Sequence, residues 1–193
     1  MIDRLHSLDQ EITLAINSVH GTLSDSLWIF MSDKKVWMPL YIMAIVLLSR
    51  KLGWKKALIS IVFIVLSIVA TDQIGNLVKD SVCRLRPCYN SYMLDNGLRM
   101  LESRGHHFGF YSAHAADAFG FVSCAASCLF SMDRIRTNRR YLAAGAAWAS
   151  MVSISRVFVG KHFFGDILAG ALVGCITGYV MGRLAVSISR RFL

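Results

Sequence analysis

Charge is scarce in this chain. Only 17% of its 193 residues are Asp, Glu, Lys or Arg, against 55% hydrophobic residues and a mean hydropathy of +0.50, which excludes an ordinary soluble domain of this size. Acid is scarcest: 12 Asp and Glu stand against 21 Lys and Arg, a formal net charge of +9. The basic residues form no single stripe and fall in short clusters between apolar runs, so the surplus reads as membrane-flanking anchors and not as a nucleic-acid surface. The five cysteines include no zinc-type CxxC pair, and no stretch is repetitive or of low complexity. The N-terminus, Met1 to His6, does not lead into a continuous apolar segment, so no cleavable signal is expected. Long apolar runs are missing as well. The uncharged stretches at 36–49, 57–71, 118–132, 141–155 and 167–182 each fall short of the roughly 20 residues that cross a hydrocarbon core.

What is present is the composition of an all-α, polytopic membrane helix bundle, expected to form one domain over 1–193. Residues 2–19 place Ile2, Leu5, Leu8, Ile12, Ala15, Ile16 and Val19 at helical spacing with polar residues between them, an amphipathic helix expected to lie in the membrane interface. It belongs to an N-terminal segment, 1–32. If 14–31 also enters the bilayer, the spans number six; otherwise they number five. Four of the five runs can be lengthened at one end by a polar turn: Asp72, Gln73, Asn76, Lys79 and Asp80 after the second; Ser112, His114 and Asp117 before the third; Arg156 after the fourth; His162 and Asp166 before the fifth. Spans alternate in direction, so these four ends meet at one membrane face. The opposite ends carry Arg50, Lys51, Lys55 and Lys56, then Arg134, Arg136, Arg139 and Arg140, then Arg183, Arg190 and Arg191. By the positive-inside rule these are cytoplasmic, which turns the polar face outward, to the periplasm or its equivalent, in a multi-pass protein of the cell (inner) membrane. Gly170, Gly174, Gly178 and Gly182 recur every four residues and form a ridge that admits a neighbouring helix backbone to backbone. The alanine-rich fourth span, with Ala143, Ala144, Ala146, Ala147 and Ala149, is the expected partner.

Ionisable residues at a membrane edge are costly and mark a functional site. Here they recur at fixed spacings over 79–166: Lys79, six residues, then Arg86-Pro87; Tyr111-Ser112-Ala113-His114; and Ser155-Arg156, five residues, His162, three residues, Asp166. Three cations could converge on one phosphate. His162 and Asp166, four apart, share a helical face, where the carboxylate would orient the imidazole as a nucleophile or base. The pattern resembles the type 2 phosphatidic acid phosphatase (PAP2) superfamily. The resemblance implies a lipid phosphatase hydrolysing a phosphomonoester or diphosphate through a phosphohistidine. In it Lys79, Arg86, Arg156, Ser112 and the Ala113 amide bind phosphate, His162 attacks, Asp166 orients it and His114 serves the leaving oxygen. No metal or cofactor is expected. The implied partners are a lipid phosphate and the bilayer, with no nucleic acid; the oligomeric state stays open. Undecaprenyl diphosphate ranks first by resemblance, before phosphatidylglycerophosphate, phosphatidic acid and lipid A phosphates. A lipid phosphotransferase using the same site and, from another class, a transporter are the competing readings.

The second motif departs from the family's Pro-Ser-Gly-His. Ala113 in place of Gly disfavours a positive φ there, and Tyr111 could line a headgroup pocket or be a plain interfacial tyrosine. Cys83 and Cys88 bracket Arg86-Pro87 and leave a disulfide open. Cys124 and Cys128 read as packing residues, and His106 and His107 as ordinary loop histidines. Asp117 could tune His114, pair with a cation or make a helix-interior hydrogen bond to a neighbour; Asp72 could partner Asn76 or Lys79. The loop 83–110 is long enough to be a substrate-facing lid.

Overall fold

A computed structural model describes residues 2–132 and 135–192, and among these the chain forms eight α-helices. They are α1 (Ile2–Ser18), α2 (Thr22–Ser32), α3 (Met38–Leu52), α4 (Trp54–Val82), α5 (Ser91–Asp95), α6 (Ala113–Met132), α7 (Ile135–Phe158) and α8 (Phe164–Phe192). Single 3-10 turns at Lys34–Trp37 and Pro87–Tyr89 lead into α3 and α5. No strand occurs among the described residues, only one isolated antiparallel bridge between Leu85 and Phe108.

The short uncharged runs become long helices because polar turns extend them. Together they make α4 and α8 29 residues each, about 44 Å of helix. Among the described residues, three helices, α4, α6 and α8, are long and apolar enough on their own to cross a membrane. α3, at 15 residues, is shorter than that requirement, and α7 is diluted by Arg139, Arg140 and Arg156. The sixth crossing over 14–31 is not formed as one helix, because α1 ends at Ser18 and α2 begins at Thr22. Gly21 sits at that break as the cap residue of α2.

α6 is the central helix, packed by α4, α7 and α8. On α8 the leucine side, Leu168, Leu172 and Leu184, is exposed, and the glycine side is buried. This is the inside-out arrangement of a helix whose apolar face meets lipid. The glycine ridge packs on α6 and not on the alanine-rich α7: Gly174 lies against Ala116, Gly178 against Gly120 and Gly182 against Cys124 and Ser127. The reason is reciprocal spacing, since Ala116, Gly120 and Cys124 repeat the same step of four. The Ser112 N–H, donating to Asp166 O at 3.0 Å, sets the register at the helix starts. The small residues of α7 serve the other side of α6, where Gly145 meets Val122 and Ala149 joins a cluster with Ala118, Val122 and Trp148.

Because α4 and α7 end where α6 and α8 begin, the four polar turns do meet at one end of the bundle. The clusters of α3–α4 and of the α8 terminus lie at the other; Arg134 falls outside the described residues. The loop 83–110 closes over the polar end. Its ends are tied by the bridge, with Arg86 N donating to His107 O and Gly109 N to Arg84 O, both at 2.9 Å. Its middle has its own small core of Cys88, Met93 and Leu98 around Phe163.

Candidate active site

α8 begins immediately after the turn that carries His162, so Asp166 sits in its first helical turn, where a carboxylate suits the positive end of the helix dipole. The Asp166 carboxylate is fully buried, accepts from Phe163 N at 3.0 Å and faces His162 Nδ1 at 3.4 Å. That contact directs the Nδ1 proton to the carboxylate and leaves Nε2 with a free lone pair. His162 is itself buried, and desolvation pushes its pKa down to about 4 although Asp166 pulls the other way. At neutral pH the ring is uncharged and Nε2 keeps its lone pair.

Two guanidinium groups press on that ring electrostatically. Arg86 and Arg156 act on His162, and both also act on His114, at the start of α6. Lys79, at the end of α4, is a charge neighbour of Arg86 and Asp72. Arg86 donates through Nε to Phe108 O at 3.2 Å. It packs over Gly109, where a Cβ would come 2.8 Å from its Cγ and 3.4 Å from Asp166 Oδ2. Ser112 Oγ and Arg156 Nε are buried with no hydrogen-bond partner in the protein. Buried donors of this kind are costly unless a ligand takes them. The structure therefore brings His162, Asp166, Arg86, Arg156, His114, Ser112 and Ala113 to one place, with Lys79 beside Arg86. Among the described residues, no group of three or more His, Cys, Asp or Glu side chains is placed to hold a metal ion.

The structure decides several readings that the sequence left open. Ala113 needs no positive φ, because it opens α6 in helical geometry. Tyr111 is neither interfacial nor at a headgroup: it is 1% exposed and its hydroxyl donates to Thr71 O at 2.8 Å, tying the start of α6 to α4. Cys83 and Cys88 are free thiols; Cys83 is exposed and donates to Asp80 O, whereas Cys88 is buried toward Arg104 O. Asp117 pairs with a cation, Lys34 Nζ at 2.7 Å, and also accepts from Thr71 Oγ1 of α4 at 3.0 Å. Lys161, in the motif but not aimed at the site, binds Ser103 O and so holds the loop down.

Other contributors are not among the fixed positions of the motifs. Arg156 Nη1 donates to Ser32 of α2 and pairs with Glu102 of the loop at 3.3 Å, and Ser32 also donates to Glu102. Arg84 donates to Asp166 Oδ1 at 2.6 Å and to Asp9 of α1 at 2.7 Å. Only Arg84 had a signal in the sequence, as a second cation inside the Lys-x6-Arg-Pro element.

The family model of the PAP2 superfamily matches residues 58–188, which include all of these motif positions. The chain belongs to the PAP2 superfamily. It is a membrane phosphatase of that superfamily, and its relatives extend the likeness over the full length. A lipid A 4'-phosphatase from Bacteroides thetaiotaomicron is 31% identical over 99% of this chain and 83% of that protein. Another from Porphyromonas gingivalis is 28% identical over 96% of this chain and 76% of that protein. The fold is shared with a transmembrane PAP2-type phosphatidylglycerolphosphate phosphatase from Bacillus subtilis, at a TM-score of 0.71 and 17% identity over 98% of this chain and 88% of that one. Aquifex aeolicus LpxE has a TM-score of 0.63 and 22% identity over 90% of this chain and 93% of its own.

Proposed function

We propose that this PAP2 phosphatase removes a phosphomonoester from a lipid A-type headgroup, with His162 as nucleophile. The carrying observation is the placement of a buried cation and histidine cluster beside an apolar cavity. A cavity of about 300 Å³ next to the site is lined by Ser32, Lys34, Trp37, Tyr41, His114 and Asp117. One turn deeper, a cavity of about 430 Å³ between α3, α6 and α7 has almost wholly apolar walls, among them Leu40, Met43, Phe121, Leu142 and Trp148. Phosphate in the cluster with acyl chains in the apolar cavity is the arrangement a lipid phosphate requires. The two lipid A 4'-phosphatase relatives favour that headgroup over undecaprenyl diphosphate.

In this reading Lys79, Arg86, Arg156, Ser112 Oγ and the Ala113 amide hold the phosphate oxygens, stabilising charge as it develops in the transition state. His162 Nε2 forms the N–P bond as the P–O bond to the lipid breaks; the electron pair leaves on the lipid oxygen, which takes a proton from His114. His114 then draws a proton from water, whose oxygen displaces His162 from phosphorus and releases phosphate. No step is assigned to a metal. The polar end faces outward, the α8 terminus is cytoplasmic, and five helices cross the bilayer, α3 and α7 completing the set by snorkelling of their flanking lysines and arginines.

The test is phosphate release by purified protein in detergent with EDTA. The substrates are lipid A bisphosphate, phosphatidylglycerophosphate and undecaprenyl diphosphate, each with wild type and His162→Ala. Release from lipid A that is abolished in the variant supports the assignment. Preference for another lipid moves the substrate, and release that survives His162→Ala removes the nucleophile.

A further inference from the structure

The N-terminal helix presents its polar residues to the protein. Gln10, Thr13 and Asn17 are buried while Leu5 and Leu8 are more than half exposed. Two of its inward contacts are uncharged clips on the loops around the site: Thr13 Oγ1 accepts from Phe164 N at 3.0 Å, and Asn17 Nδ2 donates to Arg99 O, Val157 O and Phe158 O at 2.9 to 3.1 Å. Asp9 is different because it carries charge into the network behind the nucleophile. Its Oδ1 accepts from Gly165 N at 2.7 Å and its Oδ2 from Arg84 Nη2 at 2.7 Å. Arg84 Nη1 reaches Asp166 Oδ1 at 2.6 Å, with its guanidinium 4.0 Å above the Phe163 ring. Asp166 Oδ2 faces His162.

We propose that Asp9 and Arg84 are positioning residues for His162, an inference that rests on reading His162 as the nucleophile. Asp166 paired with Arg84 alone would be close to neutral, and a neutral pair has little to offer an imidazole that gains positive charge as its Nε2 bonds to phosphorus. Asp9 takes the other side of the same guanidinium and returns the group of three to a net charge of −1. Arg84 then fixes the Asp166 carboxylate in place without cancelling it, and does so where the surroundings screen charge poorly. The N–P bond forms from the Nε2 lone pair while the P–O pair departs with the leaving oxygen and its proton from His114. The Nδ1 proton stays between His162 and Asp166.

A helix that merely clips the loops down and a helix that balances charge make different predictions. In Asp9→Asn the amide still accepts from Gly165 N, but the negative charge is gone. Partners that stand behind catalytic or metal-bound histidines are typically worth about 10- to 100-fold in activity, so kcat should fall by about that factor with KM for lipid A bisphosphate within about twofold. Orthovanadate, which mimics the five-coordinate transition state on a histidine nitrogen, should bind correspondingly more weakly, while inorganic phosphate binds as before. The double variant Asp9→Asn/Arg84→Gln removes one charge of each sign, returns Asp166 to an unneutralised carboxylate, and should recover about tenfold over Asp9→Asn.

A double variant no better than Asp9→Asn, or vanadate and phosphate weakened together, overturns the charge role and leaves a structural clip. If wild type releases no phosphate from the lipids, the substrate reading has failed, and direct vanadate and phosphate binding still decides this proposal through the same comparison. If Asp9→Asn alone does not fold, the charge-balanced double variant carries the test. Vanadate affinity near wild type supports the proposal, and affinity as poor as in His162→Ala overturns it.

Discussion

His162, the proposed nucleophile, is deeply buried. Desolvation holds its pKa near 4 against an ordinary 6.5, so between these values the unfolded chain binds a proton that the folded chain does not. Folding stability from this group is therefore complete above about pH 6.5 and falls as the pH drops toward 4. At pH 5 the loss amounts to about 2 kcal/mol. Thermal unfolding in detergent at pH 7.5 and 5.0 should show a larger drop for wild type than for His162→Gln, which has no proton to take up; equal drops would contradict a buried neutral imidazole. Tyr111 gives a contrasting case, a polar contact with no place in the chemistry. Tyr111→Phe removes the bond to Thr71 O, whose carbonyl remains in the α4 helical ladder. The expected cost is about 1 kcal/mol with phosphate release retained.

At the scale of elements, the α6–α8 seam supports the site directly. Gly174 packs against the Ala116 backbone, half a turn from His114, and a Cβ there cannot be absorbed by a flexible side chain. Gly174→Ala is expected to cost about 1 to 3 kcal/mol and to lower phosphate release by displacing His114. Gly21→Ala, at a position with open space around the added carbon, should do neither. A melting series read together with activity checks the pair. The α1 helix is tested in the same way by Asn17→Ala. This strips three buried or part-buried carbonyls of a donor and should destabilise by about 1 to 3 kcal/mol, loosening the turn before His162.

For the whole molecule, the free thiols report topology. Cys83 is exposed at the polar end of the bundle, whereas Cys88 is buried. In a Cys175→Ser background, a membrane-impermeant maleimide applied from the periplasmic side should label Cys83. Trp54→Cys, in the basic turn before α4, should be labelled only after the membrane is opened. The reverse pattern would place the polar end in the cytoplasm. Because Cys83 and Cys88 are unpaired, reducing agent should leave phosphate release unchanged.

The motif residues were legible from their spacing and the family resemblance it carries, because Lys79, Ser112, His114, Arg156, His162 and Asp166 lie at or beside helix ends, with Arg86 in the adjoining loop. Alternating spans bring such ends together whatever the side-to-side packing. Helical content was legible for the same local reason: periodicity and the lack of charge in 57–71, 118–132 and 167–182 are properties of one segment at a time. What only the tertiary structure decided is which faces meet. In a membrane the apolar side turns outward, so the hydrophobic pattern of α1 or α8 says little about its neighbour. The glycine ridge could have served α7 as well as α6 until the Ser112–Asp166 backbone bond set the register. Likewise the contacts of Asp9 with Arg84, of Ser32 with Arg156 and of Tyr111 with Thr71 join residues 75, 124 and 40 positions apart. Pairings at that separation leave no local pattern, because they are fixed by the packing of whole helices and not by the order of residues within one.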